Sequence, residues 1–501
     1  MIIIKARSET IIYHDRQINL MSEQKNFDRN TIAKKSKLGV LFLSLKSFGL
    51  NILKIVSSIS LAKLLSPYDY GVYGVLNSWI SSLSYFTDIG LHESLVQKDE
   101  DIKRSDIEGY LALRLILSFV VALIFSGTIY FFKDFVDVDS DSPFLLLLGF
   151  ICLFDAVTTL PKVVLHKELE FKKLTILELI SSVFLYIFQI AFAYFGFGFW
   201  SFFIGMCIRY LILFVGGLLL KIYAWPKISS ISKVRSSLKN GVHFQANLII
   251  IAALGIASPI ILKGFLTVEV VGIYFWTMSL VSLPIAYINN FGHVLFSALS
   301  KTQNNFDDSK LLISKSCRIL ILIISLIFGL GATLGPSLIE LLFGEKWSLA
   351  KDVIALCSLT AGLLAAKELP NAALGALGKP RIRMKIELLG LFLLLTVGTF
   401  ITSRFYLKGF LIYSAVVNGF IALSLFYKIK EYISLEAMAS AVKVVLITGV
   451  VFFINRYMEY ETSLLKSLIS YGALFSTLVF IFDQKTVKEL KASLLRTKLK
   501  N

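Results

Sequence analysis

Charged residues are scarce in this 501-residue chain, and so are cysteine and histidine. Asp, Glu, Lys and Arg make up 17% of it and hydrophobic residues 56%, whereas a soluble domain is about 25% charged. A soluble protein of this composition would expose large apolar patches to water. The composition therefore excludes a soluble protein built of several globular domains.

Four cysteines and five histidines argue against two further classes of protein. The cysteines lie far apart in apolar segments, as buried hydrophobic residues do, so neither a disulfide framework nor a zinc site is expected. Gly375–Pro380 resembles part of a phosphate-binding loop but lacks its spacing and its final hydroxyl. We expect no metal, no cofactor and no catalytic residues, so the protein is predicted not to be an enzyme.

Long uncharged stretches dominate the sequence. Those from Leu179 to Ile208, from Val270 to Ser300 and from Ile319 to Ile339 each reach the roughly 20 residues that span a bilayer as a helix. We therefore predict an all-α polytopic membrane protein with about 14 transmembrane helices. Their predicted ranges are 38–64, 71–96, 108–132, 143–165, 174–196, 198–220, 241–265, 271–297, 311–336, 348–378, 383–403, 408–427, 438–456 and 463–482.

Basic residues are distributed unevenly between the loops. When the loops are assigned alternately to two sides, one side holds about 36 Lys and Arg and the other about 6. Lys and Arg collect in cytoplasmic loops, so both termini are predicted to be cytoplasmic, and the net charge of +17 needs no nucleic-acid partner. The basic tail 484–501 is also suited to anionic lipid. Met21 is a plausible alternative start, in which case residues 1–20 are not translated.

Polar residues form a stripe along the first span. Ser44, Ser47, Asn51, Lys54 and Ser58 follow one another at intervals of three and four residues, and so share one helix face. A charged side chain at a helix centre costs about 2.5–3.5 kcal/mol. The stripe lines either a seam between helices or an aqueous lumen, and Asn51 with Lys54 favours the lumen.

Charged residues in other spans extend this pattern. Lys46 and Arg114 lie near cytoplasmic helix ends and are expected to reach the interface. Arg209 lies near the middle of the sixth span and Lys367 near the middle of the tenth. Together with Lys54 they predict a cationic cavity for an anionic head group, such as phosphate or pyrophosphate.

Acidic residues in the spans leave their role open. Asp88 in the second span is either an ion-pair partner for Lys54 or a residue that couples ions. Glu368 is adjacent to Lys367, so the two side chains diverge by about 100° and should not share a face. Three further acids are candidates for a proton relay, an ion pair or an interface: Asp155, Glu178 and Glu387.

Short blocks between residues 61 and 385 resemble those of one membrane protein family. The blocks are Leu61–Gly71, Phe86–Leu91, Leu165–Lys172, Gly198–Trp200, Val271–Tyr274, Val294–Ser300, Leu342–Trp347 and Gly375–Pro380. They are similar, in order, to blocks of the Wzx-type oligosaccharide flippases, a branch of the multidrug/oligosaccharidyl-lipid/polysaccharide (MOP) exporter superfamily. Ser297 stands where that family commonly has proline, which predicts a straighter eighth helix.

The resemblance implies two six-helix lobes around a central cavity. The lobes would be 38–230 (helices 1–6) and 231–430 (helices 7–12), preceded by a cytoplasmic segment 1–37 and followed by two additional helices within 431–483. The lobes would rock, so that the cavity opens to one leaflet and then to the other. The implied substrate is an oligosaccharide joined by pyrophosphate to a polyprenol, whose tail stays in the bilayer.

The resemblance and the cationic spans together predict a flippase of the bacterial cytoplasmic (inner) membrane. It would translocate polyprenyl-pyrophosphate-linked repeat units for O-antigen, capsule or exopolysaccharide synthesis. The predicted substrate ligands are Asn51, Lys54, Arg209, Gln245 and Lys367, and the residues assigned to ion coupling or an internal ion pair are Asp88 and Glu368. The protein is expected to be a monomer in contact with membrane lipid, with a polysaccharide polymerase and a chain-length regulator as further partners.

Three other functions remain open on the sequence alone. A peptidoglycan-precursor (lipid II) flippase would bind the same pyrophosphate-polyprenol group. A drug or cation antiporter would have a lumen dominated by acidic residues, and here basic residues dominate. A membrane polymerase or glycosyltransferase would need an extracytoplasmic domain, for which the short loops on the less basic side leave no room.

Overall fold

The computed structural model describes residues 45–88, 103–131, 135, 148–168, 170–302, 305–458 and 464–483. For a few helical residues, chiefly 232–248 and 464–468, it describes the backbone alone. The predicted N-terminal segment 1–37 and the basic tail 484–501 lie outside the described residues. All regular secondary structure in the described part is helical.

Sixteen helices follow one another along the described chain. They are α1 (Leu45–Leu64), α2 (Pro67–Asp88), α3 (Arg104–Phe131), α4 (Ile151–Lys167), α5 (Phe171–Tyr194), α6 (Trp200–Leu219), α7 (Ile231–Phe265), α8 (Val268–Val281), α9 (Ile285–Thr302), α10 (Phe306–Phe343), α11 (Ser348–Ala366), α12 (Glu368–Ala376), α13 (Pro380–Leu393), α14 (Thr399–Lys428), α15 (Leu435–Met458) and α16 (Leu464–Phe482). A π-helical turn, Leu394–Gly398, joins α13 to α14.

These helices account for the predicted fourteen spans. Within the described ranges nine helices are long and apolar enough to cross a membrane, and the bent pair α8–α9 adds a tenth. One of the nine, Pro380–Lys428, has 49 residues and divides at Tyr406, where the backbone is not helical (φ 53°, ψ −145°). It therefore makes two crossings. The shorter or less apolar helices α2, α7 and α16 supply the other three.

Helix ends coincide with residues that cap them. Pro67 begins α2, and the Asp69 carboxylate accepts hydrogen bonds from the Ser66 backbone N–H at 2.9 Å and from its hydroxyl at 2.7 Å. Asn305 caps α10, because its side chain accepts from two backbone N–H groups of the first turn. Both caps lie in connections that the sequence analysis predicted between spans.

The span formed by α8 and α9 is bent. The two helices differ in direction by 51° across the connection that ends at Pro284. Proline has no N–H to donate and displaces the preceding turn of a helix. Ser297 lies within the unbroken helix α9, so this span bends at Pro284 and not at the position where the family commonly has proline.

Helices α2 and α8 meet at backbone distance. A Cβ on Gly71 would lie 2.1 Å from the Val268 carbonyl oxygen, and one on Gly272 would lie 1.8 Å from the Pro67 carbonyl oxygen. Small residues allow such close approach between membrane helices. This contact joins α1–α6, here called the first half, to α7–α14, the second half. One hydrophobic core includes helices of both halves.

Helices α15 and α16 pack on the outer side of α10. The Tyr471 hydroxyl of α16 donates a hydrogen bond to the Ser325 carbonyl oxygen at 3.3 Å. A Cβ on Gly329 would lie 1.8 Å from the same hydroxyl oxygen, so the glycine makes room for the tyrosine. A separate hydrophobic cluster of α10, α15 and α16 surrounds this contact.

Candidate functional site

Six charged side chains from five helices of the first half lie close together. We call them the first-half cluster: Lys46 on α1, Arg114 on α3, Asp155 and Lys162 on α4, Glu178 on α5 and Arg209 on α6. Lys46 Nζ lies 2.8 Å from Glu178 Oε2. Arg114 Nη2 lies 3.3 Å from Asp155 Oδ2. Lys162 is within electrostatic range of four other members.

Two cations of the first-half cluster are not paired with a carboxylate. The cluster holds four basic and two acidic groups, and both acids already pair with Lys46 and Arg114. Neither Lys162 nor Arg209 forms an ion pair with another described side chain, and Arg209 Nε is buried without a hydrogen-bond partner among the described residues. A buried donor left unpaired costs about 1–3 kcal/mol. The arrangement therefore suits an anion that can accept from both cations.

Tyrosine hydroxyls surround Arg209. Tyr73 on α2, Tyr186 on α5 and Tyr210 on α6 lie within electrostatic range of the guanidinium group. Tyr73 is held by stacking on Phe202, with ring centroids 4.0 Å apart and an interplanar angle of 15°. A tyrosine hydroxyl both donates and accepts hydrogen bonds. The surroundings of Arg209 thus suit sugar hydroxyls as well as phosphate oxygens.

The polar stripe of α1 borders the gap between the two halves. Asn290 of α9 lies across this gap, and its Nδ2 donates to Ser47 Oγ at 3.5 Å. Lys54 is seven residues, about two helical turns, from Ser47 and so lies on the same helix face. It is exposed and forms no ion pair with another described side chain, while Asn51 between them is half-buried. The stripe therefore presents to the gap an ammonium group that has no ion-pair partner among the described side chains.

A second group of charges lies in the second half and is balanced. This second-half cluster consists of His293 on α9, Lys367 between α11 and α12, Glu368 on α12, Arg383 and Glu387 on α13 and Asn418 on α14. Lys367 Nζ lies 3.5 Å from Glu387 Oε1 and donates to Asn418 Oδ1 at 3.1 Å. Two cations accompany two carboxylates, so with a neutral histidine the cluster has no excess charge.

Lys367 and Glu368 belong to the same cluster but contact different helices: Lys367 contacts Glu387 and Asn418, whereas Glu368 lies beside Gly292 of α9. The helix is interrupted between them, since α11 ends at Ala366 and α12 begins at Glu368. Helix α13 reaches both side chains: Glu387 pairs with Lys367, and Arg383 is within electrostatic range of Glu368.

Hydrogen bonds join the two halves at the end of the molecule where α1 meets α2. Lys346, between α10 and α11, donates to the carbonyl oxygens of Lys63 and Leu65, each at 2.9 Å. Trp347 Nε1 donates to the Ala62 carbonyl oxygen at 3.0 Å. The last carbonyls of a helix lack internal partners and carry partial negative charge, so an ammonium group stabilises them. We call these contacts the Lys346–Trp347 clasp.

The opposite end of the gap is held more loosely. At the clasp, Trp347 is fully buried, with its ring 5.4 Å from Tyr70 and 3.9 Å from Trp276. The Ser47–Asn290 hydrogen bond lies about 23 Å further along α1, and it is long and single. The described contacts thus close one end firmly and the other weakly.

The profile of a protein family matches more than half of the chain. The family is described as "Polysaccharide biosynthesis protein", and the match covers residues 60–352. The chain belongs to this polysaccharide biosynthesis family. The matched region contains Arg209, Lys346 and Trp347, and it confirms the resemblance that the short motifs predicted. No curated protein sequence matches the chain.

Solved transporter structures share the fold of this polysaccharide biosynthesis protein. "Lipid II flippase MurJ, inward closed conformation" has a TM-score of 0.69 at 12% sequence identity, over 89% of this chain and all of that one. An inward-facing multidrug resistance MATE family transporter of the MOP superfamily has a TM-score of 0.59 at 14% identity, over 80% of this chain and 98% of that one. The family member described here therefore has the fold of a multi-pass membrane transporter.

The predicted ligands are divided among the sites of this family member. Arg209 lies in the first-half cluster, Lys367 lies in the second-half cluster, and the α1 residues lie at the gap. The side chains of Gln245 and Asp88 lie outside the described residues, so their roles, and the pair of Lys54 with Asp88, stay predictions.

Sequence reasoning missed Lys162 and misplaced two other bases of this family member. Asp155 and Lys162 are seven residues apart and so share a face of α4. This spacing could have identified Lys162 from the sequence. Lys46 and Arg114 were expected to reach the interface. Both instead pair with acids of neighbouring helices, because α4 and α5 place carboxylates at the same depth.

Proposed function

We propose that this protein translocates oligosaccharides, linked by pyrophosphate to a polyprenol, across the bacterial cytoplasmic membrane. The observation that carries the proposal is a pair of cations, Lys162 and Arg209, that have no ion-pair partner among the described side chains and lie inside a membrane transporter fold. A pyrophosphate offers the negative charge and the acceptor oxygens that an ammonium and a guanidinium bind best. Membership of a polysaccharide biosynthesis family supports a saccharide as the cargo.

In this proposal the first half supplies most of the contacts to the head group. Arg209 and Lys162 bind the pyrophosphate, and the tyrosines around Arg209 contact its oxygens or the first sugar. Lys54 and Asn51 contact the head group from α1, where the ammonium of Lys54 faces the gap.

The second half supplies fewer contacts, since its charges are already balanced. Gln245 and Lys367 are proposed to contact the head group, Lys367 by exchanging Glu387 for the substrate. Asp88 and Glu368 are assigned to ion coupling or to internal ion pairs. The balanced charges around Glu368 favour the ion pair for that residue.

Translocation is proposed to proceed by alternating access. The lobes 38–230 and 231–430 rock about their contacts, so that the Lys346–Trp347 clasp opens when the opposite end closes. Both termini are proposed to be cytoplasmic. The protein acts as a monomer in contact with membrane lipid, and delivers repeat units for O-antigen, capsule or exopolysaccharide to a polymerase with its chain-length regulator.

A lipid II flippase is the second candidate function. It is supported by the same first-half cluster, because lipid II carries the same pyrophosphate-polyprenol group. The two functions differ in their consequence for the cell: loss of a sole lipid II flippase stops growth, whereas loss of a surface-polysaccharide flippase removes surface polymer.

Depletion of the protein from its bacterium tests the proposal. We expect intact lipid-linked repeat units to accumulate on the cytoplasmic leaflet while surface polymer disappears, and re-expression to reverse both effects. Repeat units that reach the outer leaflet but stay unpolymerised would identify a polymerase instead. Accumulation of peptidoglycan precursor with arrest of growth would favour the lipid II flippase.

A further inference from the structure

An apolar cavity of about 270 Å³ lies between the two halves of the chain. Its main walls are Trp79 and Leu83 of α2, Ile124 and Phe125 of α3, and Ile256 and Ile260 of α7. Thr128 also reaches the cavity, but its hydroxyl already donates to the Ile124 carbonyl oxygen at 2.8 Å. Apart from the indole N–H of Trp79, the walls offer nothing to a polar ligand.

The cavity is open to the surroundings of the protein. Ile124 is 60% exposed and Ile260 42% exposed, and in a membrane-spanning chain these side chains contact lipid hydrocarbon. Beside the cavity α2 and α7 touch, since a Cβ on Gly255 would lie 2.3 Å from Ser82 Oγ. Pro259 interrupts the hydrogen bonds of α7 next to Ile260. The cavity thus lies beside a close contact between α2 and α7.

The cavity lies within reach of the first-half cluster along α2. Tyr73 of α2 is within electrostatic range of Arg209. Trp79 and Leu83 are six and ten residues further along the helix, which is about 9 and 15 Å at 1.5 Å per residue. Along the helix axis, this separation corresponds to a few isoprene units of a chain anchored by its pyrophosphate at Arg209.

We propose that this cavity binds the isoprenoid chain of the carrier lipid while the pyrophosphate occupies the first-half cluster. The inference rests on the proposed function and adds a second contact region for the same substrate. A hydrocarbon chain in the cavity gives its apolar walls the dispersion contacts that an empty gap lacks. Since the walls belong to both halves, relative movement of the halves releases the chain. A phospholipid would offer Arg209 and Lys162 only a single phosphodiester, whereas a pyrophosphate offers two phosphate groups and more negative charge.

Cavity-filling variants test this inference in the full-length protein in lipid nanodiscs. Leu83→Phe and Ile256→Phe fill the cavity from opposite walls, and Leu83→Gln keeps the volume but makes the wall polar. Leu123→Phe is the matched control, because this side chain is 52% exposed on α3 and does not line the cavity. Thermal unfolding verifies that each variant is folded.

Three probes separate the chain from its head group: undecaprenyl pyrophosphate, inorganic pyrophosphate and uncharged undecaprenol. We expect the three cavity variants to weaken binding of both undecaprenyl probes at least tenfold and to leave inorganic pyrophosphate unaffected. The control should bind all three as the wild type does.

Undiminished binding of undecaprenyl probes by the cavity variants would overturn the inference. So would loss of a co-purifying phospholipid from these variants with undecaprenyl binding unchanged, since the cavity would then be a phospholipid site. A wild type that binds undecaprenol through the cavity but no pyrophosphate would contradict the proposed function instead.

Discussion

At the scale of single residues, the proposed binding of an anion depends on the charge balance around Arg209. Lys46 and Arg114 are neutralised by carboxylates, so only Lys162 and Arg209 keep charge for a ligand among the described members of the cluster. At an effective dielectric constant of about 20, an opposite unit charge about 4 Å from a cation gains about 4 kcal/mol. Removal of an ion from water costs several kcal/mol, so two cations acting together offset that cost better than one.

Replacement of Arg209 tests this balance. Arg209→Gln should lower the affinity for inorganic pyrophosphate at least tenfold, about 1.4 kcal/mol, because it removes one of the two cations and its charge-assisted hydrogen bonds. The affinity of Arg209→Lys should lie between those of the wild type and Arg209→Gln, because lysine keeps the positive charge but not the planar guanidinium group. Isothermal titration calorimetry of the purified protein measures both.

Arg104→Gln is the matched control for Arg209. The Arg104 side chain is 80% exposed at the start of α3, outside the first-half cluster, so its loss should leave the affinity unchanged. If Arg209→Gln binds pyrophosphate as tightly as Arg104→Gln does, Arg209 is not a ligand.

At the scale of helices, the Lys346–Trp347 clasp decides which end of the gap is closed. Trp347→Phe keeps the aromatic packing but loses the hydrogen bond to α1, and Lys346→Met loses two. A hydrogen bond contributes about 0.5–1.5 kcal/mol. The fraction of molecules open at this end should therefore rise by about two- to tenfold for each hydrogen bond that is lost. Distances between spin labels on Lys63→Cys and Leu349→Cys report the opening.

A variant of α11 is the control for the clasp. Lys351 is half exposed and pairs with Glu340 of α10, not with α1. Lys351→Met should therefore leave the distance distribution unchanged. Equal distributions for all three variants would show that the clasp does not hold this end closed.

The close contact of α2 with α8 makes a prediction about stability. Gly71→Ala places a methyl group 2.1 Å from the Val268 carbonyl oxygen, so overpacking should cost about 1–3 kcal/mol. Gly264→Ala has no atom within 4 Å of the new methyl group and should be neutral or slightly stabilising, because alanine favours a helix. Thermal unfolding in detergent compares the two variants. Equal melting temperatures would contradict the close contact between α2 and α8.

Helices were more predictable than their interruptions. The order of the spans and most of their ends follow from apolar length, proline and capping residues, which act within a few positions of the chain. The bend at Pro284 and the junction at Lys367 were not predicted. Proline in a membrane span is compatible with either a bent or a nearly straight helix, and neighbouring helices decide which one forms.

At the scale of the whole molecule, alternating access requires both ends of the gap to move. Ser47→Cys with Asn290→Cys should form a disulfide at the loosely held end, because the wild-type side chains already touch there. The cross-link should stop translocation of labelled polyprenyl-pyrophosphate oligosaccharide in proteoliposomes, and a reductant should restore it. Each single cysteine variant is a control, and undiminished transport by the cross-linked protein would contradict alternating access.

The sequence by itself determined that this is an all-α membrane protein of about fourteen spans and to which family it belongs. These properties are readable along the chain, since a bilayer demands about 20 apolar residues per helix and family motifs are contiguous. Only the tertiary structure decided which charges remain available, because an ion pair depends on the distance between side chains of different helices. Lys46 and Arg114 meet acids of α5 and α4, and Lys367 meets Glu387, whereas Arg209 has no ion-pair partner among the described side chains.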